Sequence, residues 1–296
     1  MSALVSFMVL SSLLAGVSAL ERVPALRFAP RRLLRPFLAT DGAWYLVGTG
    51  ANLVSAFVLR PVLSQLALPG VAESIAGAPV LLRMALALAV YDGVAFVIHV
   101  GIHRSPALWS VHKVHHSSLR LDAMATTRTH MFEHMVRNLP AQACLLALGF
   151  SAEAVAFVLV VYATFALVGH GNLRIGNRWV ELAFVTPRLH RLHHLPDSSH
   201  QNLGTVFTLW DRLSGRLLTR DASPEERTGV PGELDLYPQR FAAAFGQPLR
   251  EARARRPRAR AATFHPVVAL PTSRNTHHRP NEITDENTDP RRATAR

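Results

Sequence analysis

The sequence predicts an all-α integral membrane protein of about three spans plus a helical hairpin, carrying a cytoplasmic histidine-rich helical cap. Three observations lead there. Apolar residues make up 49% and charged residues 18% of the 296-residue chain, a fatty balance for a water-soluble protein. Residues 1–20 and 42–59 hold no charge, and 139–173 hold only Glu153, which is how bilayer helices read. Twelve of the fifteen histidines lie between His99 and His200, mostly at i, i+3 and i+4 spacing, which puts their rings on shared helix faces.

The elements follow in order. Residues 1–20 lack the basic start of a secretory leader, so an uncleaved first span is expected. The loop after it holds Arg22, Arg27, Arg31, Arg32 and Arg35 against Glu21, and basic loops face the cytoplasm. A second span over 42–59 opens on Trp44 and Tyr45, as an interfacial belt does. Leu68-Pro69-Gly70 marks a turn on the far side. A third span runs from about Ala78 into His99 and His103. It carries Arg83, near enough to an end to snorkel, and Asp92. Asp92 precedes His99 by two helical turns, shares its face, and is expected to steady a ligand imidazole.

The run 139–173 would span ~50 Å as one straight helix, too long for a hydrocarbon core of ~30 Å. Gly149-Phe150-Ser151 offers a break. A hairpin that dips in and returns brings His170 back to the side of the other histidines. From Gly171 to Gly246 the chain is more polar, with short helices. The expected division is therefore 1–77 for the N-terminal membrane helices, 78–246 for the histidine-bearing domain, and 247–296 for a basic, disordered tail.

The net charge of +12 comes from 31 arginines and Lys113 against 20 acids. The tail holds no aromatic interleaving, so no nucleic-acid partner is expected. Cys144 is the lone cysteine, which excludes a disulfide within the chain.

Three spaced groups of imidazoles, His99/His103, His112/His115/His116 and His190/His193/His194, point to metal. So many histidines exceed what one ion takes, and a pair of ions is implied. Soluble carboxylate di-iron bundles need Glu-x-x-His pairs, which this sequence lacks. A histidine-rich ion pair beside a membrane points instead to iron handling O2.

The ordered text is specific. It runs from Asp92 through His99-Val-Gly-Ile-His103 to Trp109-Ser-Val-His112-Lys-Val-His115-His116-Ser117 and Arg128-Thr-His130-Met-Phe-Glu133. It continues with His170-Gly-Asn172, Thr186-Pro-Arg-Leu-His190-Arg-Leu-His193-His194, Asn202-Leu-Gly204 and Trp210-Asp-Arg-Leu-Ser-Gly215. Over roughly 85–220 the chain resembles the fatty acid hydroxylase/sterol desaturase superfamily of membrane di-iron enzymes. Met131 and His200 stand where that family often has Pro and Asp, and bear on subfamily.

The resemblance implies two iron ions, O2 as co-substrate, and hydroxylation or desaturation of a lipid chain or sterol taken from the bilayer. It implies His99, His103, His112, His115, His116, His170, His190, His193 and His194 as ligands, with His130 a tenth candidate. Glu133 is expected to orient a ligand, and Asn202, Trp210 and Asp211 to hold the last segment in place. His134 and His200 are expected to stay outside the ligand set. No fused cytochrome b5 domain is present in the text, so electrons are expected from a separate cytochrome b5-like protein or ferredoxin with its reductase. The alternative is a membrane metal-transport or metal-binding protein without oxygenase activity. It expects ligands near the bilayer midplane, whereas these groups sit at span ends and in polar segments.

Overall fold

The computed structural model describes residues 3–30, 36–63, 65 and 68–255. Among them it is helical throughout, with two isolated β-bridges (Arg27 with Leu173, Phe184 with Phe207) and no strand. The helices are α1 (Ala3–Leu20), α2 (Leu38–Val54), α3 (Arg60–Leu63), α4 (Pro69–Gly77), α5 (Val80–Arg104) and α6 (Pro106–His116). They continue as α7 (Met131–Ala147), α8 (Ala152–His170), α9 (Pro187–His193), α10 (Leu209–Leu213), α11 (Phe241–Phe245) and α12 (Gln247–Arg255).

Two of them, α5 and α8, are long and apolar enough to cross a bilayer; Phe7–Leu20 is a shorter apolar helix. The stretch expected as the second span is α2, carried through a π-helical turn at Ser55–Leu59 into α3. The predicted break is present. α7 ends at Ala147, Gly149 takes φ +82°, and Ser151 caps α8 by accepting from Ala154 N. A left-handed residue at this place is where glycine closes a helix, and here its bare Cα also packs against Ala72.

The main core lies where α5, α7 and α8 meet. Ala87, Tyr91 and Ala95 of α5 face Ala141 and Leu145 of α7 and Val155, Val158 and Tyr162 of α8. Alanines at the contacts let the helices approach closely, and Tyr91 meets Tyr162 edge-on at 5.0 Å between centroids. The opposite faces expose large apolar side chains, Leu81 at 82% and Val97 at 67% among them. A second cluster centres on Trp44 with Val114, Val230 and Tyr237. It ties α6 and the segment 230–245 back to α2.

α12 corrects one expectation. Residues 247–255 were assigned to a disordered tail, yet they form a helix docked on α6. Lys113 donates to Glu251 at 3.1 Å, and Arg255 pairs with Glu251 one turn on. The only lysine in the chain thus bridges two carboxylates, Glu233 at 2.5 Å and Glu251, the second in the segment that composition alone marked as tail. The rest of the expected tail lies outside the described residues.

Candidate metal centre

Local rules place the histidines. Ser105 caps α6 by accepting from Leu108 N, and Pro106 fits its first turn. This tight reversal after α5 turns α6 back, so that His103 and His112 lie 4.9 Å apart between ring centroids. Thr186 and Pro187 start α9 in the same way. Helical spacing then aims His190 and His193 inward, and His194 ends that helix.

The result is two groups of four. His99, His103, His112 and His193 form one; His115, His170, His190 and His194 form the other. Within each, the candidate ligand atoms lie within 4.8 Å of one another, and every ring is buried. The groups adjoin: His112 and His115 are 5.2 Å apart between centroids, as are His193 and His194.

Hydrogen bonds fix the tautomers. The Nδ1 atoms donate to carbonyls in four cases: His99 to Leu203 at 2.8 Å, His115 to Arg128 at 3.2 Å, His170 to Ala166 at 2.7 Å and His193 to Gln201 at 3.1 Å. In a fifth, His112 Nδ1 lies 2.8 Å from Glu133 Oε1. Each such ring turns an Nε2 lone pair inward. The Nε2 atoms of His99 and His112 are 3.1 Å apart, and those of His115 and His170 are 3.0 Å apart. Two lone pairs at that distance repel unless a cation sits between them. A metal–nitrogen bond of about 2.1 Å puts neighbouring ligand nitrogens roughly 3.0 Å apart, so the donor set fits divalent transition ions.

Burial, and then neighbouring imidazoles, lower the pKa values of His115, His116, His190, His193 and His194 well below the usual histidine value. These rings are neutral at physiological pH, the form that binds metal. Both nitrogens of His103 and of His194 are buried with no hydrogen-bond partner. A polar atom buried in that way is costly without a ligand.

The structure sorts the expected residues. His116 belongs to neither group of four. It lies between them, 4.7 Å from His193 and 4.4 Å from His194 between centroids, with both nitrogens unpartnered. His130 is a correction. Its Nδ1 accepts from Phe132 N at the start of α7, its Nε2 donates to Phe245, and its ring stacks on Phe245. It is a helix cap outside both groups. His134 is also outside, bonded to Asn138. Exposed His200 stands at the rim, 5.5 Å from His103 between centroids.

Asp92 is a second correction. It touches no imidazole. Its carboxylate accepts from Val206 N, Phe207 N and Trp210 Nε1 at 2.9 to 3.1 Å. Two turns of helix separate it from His99, too far for contact, while the 206–210 backbone brings three donors within reach. Asp211 similarly accepts from Leu203 N and Gly204 N. Asn202, at φ +51°, bonds Leu189 and Leu218. The segment is therefore clamped, and Leu203 in it holds His99.

Sequence reasoning missed Arg137. It pairs with Glu133 at 3.5 Å and faces the Tyr162 ring at 6.0 Å. Its position one turn after Glu133 on the same helix face was the available signal. The carbonyl acceptors of Leu203, Gln201, Arg128 and Ala166 left no signal, because any residue has one.

These features define a helical protein with two adjoining buried tetrads of imidazole, able to hold metal. Comparison with known proteins names the class. Residues 84–216 match the family model described as fatty acid hydroxylase, and this segment contains every histidine of both groups. Over these residues the chain is similar to the fatty acid hydroxylase family, in keeping with the resemblance carried by its histidine motifs. A relative from Rhizobium tropici, named ornithine lipid hydroxylase OlsE, is 27% identical over 172 residues, covering 57% of this chain and 51% of the relative. The chain thus spans about half the length of that curated relative. No solved structure matches it.

Proposed function

We propose that this protein is a membrane-bound di-iron oxygenase that hydroxylates a lipid. One observation carries the reading: two adjoining tetrads of buried, tautomer-fixed imidazoles with converging Nε2 atoms, all inside the segment that matches the hydroxylase family. His99, His103, His112 and His193 would hold one iron, and His115, His170, His190 and His194 the other, with His116 between them. When bound, the irons supply O2 activation and removal of hydrogen from an unactivated C–H bond.

The net reaction takes a C–H bond, O2, two electrons and two protons to an alcohol and water. Its electrons come from a separate electron-transfer protein with a reductase. The chain's own residues position and exclude. Glu133 and four carbonyls hold five rings in one tautomer. A small enclosed cavity beside the rings, about 10 Å³, is walled by Phe165, Ala166, Gly169, Arg137 and Thr205. Phe165, Ala166 and Gly169 give it an apolar side that helps keep bulk water from the reacting centre.

The relative's name makes an ornithine lipid, or a lipid with a similar headgroup, the first substrate to try. The exposed apolar faces of α2 and α5 favour a multi-pass membrane placement, with the histidine cap on the cytoplasmic side. Reporter fusions that put His116 and His194 on opposite faces would contradict that placement.

The deciding test is lipid mass spectrometry under 18O2, with cells expressing the protein or its His193→Ala variant. A lipid gaining one 18O only with the intact protein supports the reading. Loss of two hydrogens without label makes it a desaturase. Full turnover and metal content in His193→Ala would remove the ligand assignment. Metal transport into vesicles with no O2 consumption would favour the transport alternative.

A further inference from the structure

Beside the second tetrad lies a cavity of about 610 Å³ that takes no part in holding metal. Its walls come from the chain joining α1 to α2 (Ala29, Phe37), the segment after α6 (Arg120), and Asn172 and Arg191 next to the tetrad. Residues 224–228 close it. Asn172 ties the first wall down, bonding the backbone of Ala29 through both Oδ1 and Nδ2.

Two guanidinium groups in this cavity have no ion pair among the described residues. Arg191 is only 6% exposed. Its plane lies over the Phe28 ring at 4.3 Å, and its hydrogen bond is a long one, 3.4 Å, to the Gly171 carbonyl. Arg120 lines the same space with no side-chain partner among the described residues. The other charges around the cavity are engaged. Arg128 is held by Asp41 and Arg227 by Asp235; Asp122 accepts from Ala125 N, Glu225 from Ser223, and Glu226 pairs with Arg220. Arg191 carries a guanidinium cation, and a buried cation without a paired anion is costly.

We infer that this cavity is an anion subsite, where Arg191 and Arg120 take the carboxylate or phosphate of a lipid headgroup. The headgroup role rests on the oxygenase reading above; the anion site rests on the cavity and its unpaired guanidinium groups. A lipid source is favoured over a free anion because Ala29, Pro30, Pro36 and Phe37 of one wall come from the chain between two apolar helices, α1 and α2. The opposite wall is made by residues that neighbour second-tetrad ligands in the chain. Arg191 follows His190, and Asn172 lies two residues after His170. A headgroup seated here starts its chain beside the second tetrad. The substrate class is thereby narrowed to anionic or zwitterionic lipids, and neutral sterols are disfavoured. Much of the cavity lining, from Ala29, Pro30, Pro36 and Phe37 on one side to 224–228 and Gln239 on the other, lies outside the segment matching the family.

The test uses the full-length, iron-loaded protein in maltoside micelles. Titration calorimetry against protein-free micelles measures N-lauroylglycine, its neutral methyl ester and inorganic phosphate. The acid is expected to bind about tenfold or more tighter than the ester, the range of a charge-assisted contact. Arg191→Gln and Arg120→Gln should each remove most of that preference with iron content unchanged, and Arg191→Lys should keep part of it. Equal binding of acid and ester, or an unchanged preference in both glutamine variants, overturns the subsite. Phosphate displacing the acid at similar affinity overturns the headgroup assignment in favour of a free anion. If Arg191→Gln loses iron, the exposed Arg120→Gln decides. The readout needs no turnover. A protein that binds the acid but incorporates no 18O keeps the subsite and loses the oxygenase reading, and the reverse loses the subsite alone.

Discussion

The two histidine tetrads share α6 and α9 but are fastened differently. In the first, His99 is held by Leu203, His193 by Gln201 and His112 by Glu133. Two of these three supports lie in the segment 201–211, which is itself pinned by Asp92 and Asp211. In the second, His170 is held one turn back in its own helix, by Ala166. His115 leans on Arg128, whose side chain is anchored by Asp41. The first tetrad is therefore fixed by contacts distant in sequence and the second more by local helix geometry. Substitutions far from the metal should reach the first and spare the second.

Glu133→Gln should break that symmetry most. It replaces an acceptor-only carboxylate with a neutral amide that can also donate, so the His112 tautomer is no longer fixed, and changes of this kind cost about 10–100-fold in metal affinity. Chelator titration should show one of two irons released early, with the other unchanged. Both leaving together would mean the tetrads are coupled. Asp92→Asn comes next. Losing one of the carboxylate acceptors of a buried clamp should destabilise the fold by about 1–3 kcal/mol. Thermal melting should record this, with iron release again confined to one site.

Lowering pH should act on both tetrads. His115 of α6, His190 and His193 of α9, and His194 at the end of α9 have folded pKa values well below the unfolded value of about 6.5. The unfolded chain therefore binds more protons as pH falls, and stability is full above about 6.5 and lost progressively below it. Melting temperature of the metal-free protein, measured from pH 8 to pH 5, checks the sign; a rise on acidification would contradict it. The smallest effect belongs to His130→Ala. It removes a helix cap worth about 1 kcal/mol and should leave both irons bound. Loss of an iron would return His130 to the ligand set.

Most of the helices were readable because apolar runs and glycine leave a periodic record. The break at Gly149 came from position alone, whereas Glu133 was expected to orient a ligand from its place in the family-like text, and the structure sets it 2.8 Å from His112 Nδ1. His130 and Asp92 were misread for a common reason. Each sits in the right text beside true site residues, and only the packing of distant segments, Phe245 for one and 206–210 for the other, shows what its polar atoms touch. The early docking of α12 was hidden because a tail rich in arginine reads as solvated until Lys113 is known to face Glu251.

The sequence by itself determined that imidazoles would cluster, because i, i+3 and i+4 spacing fixes which rings share a helix face. It also set the helical class and the apolar runs. The tertiary structure alone decided how nine histidines divide into two tetrads with one between them. That division mixes rings from α5, α6, α8 and α9. Distances between rings on different helices depend on crossing geometry and on backbone carbonyls, which every residue carries and no spacing rule encodes.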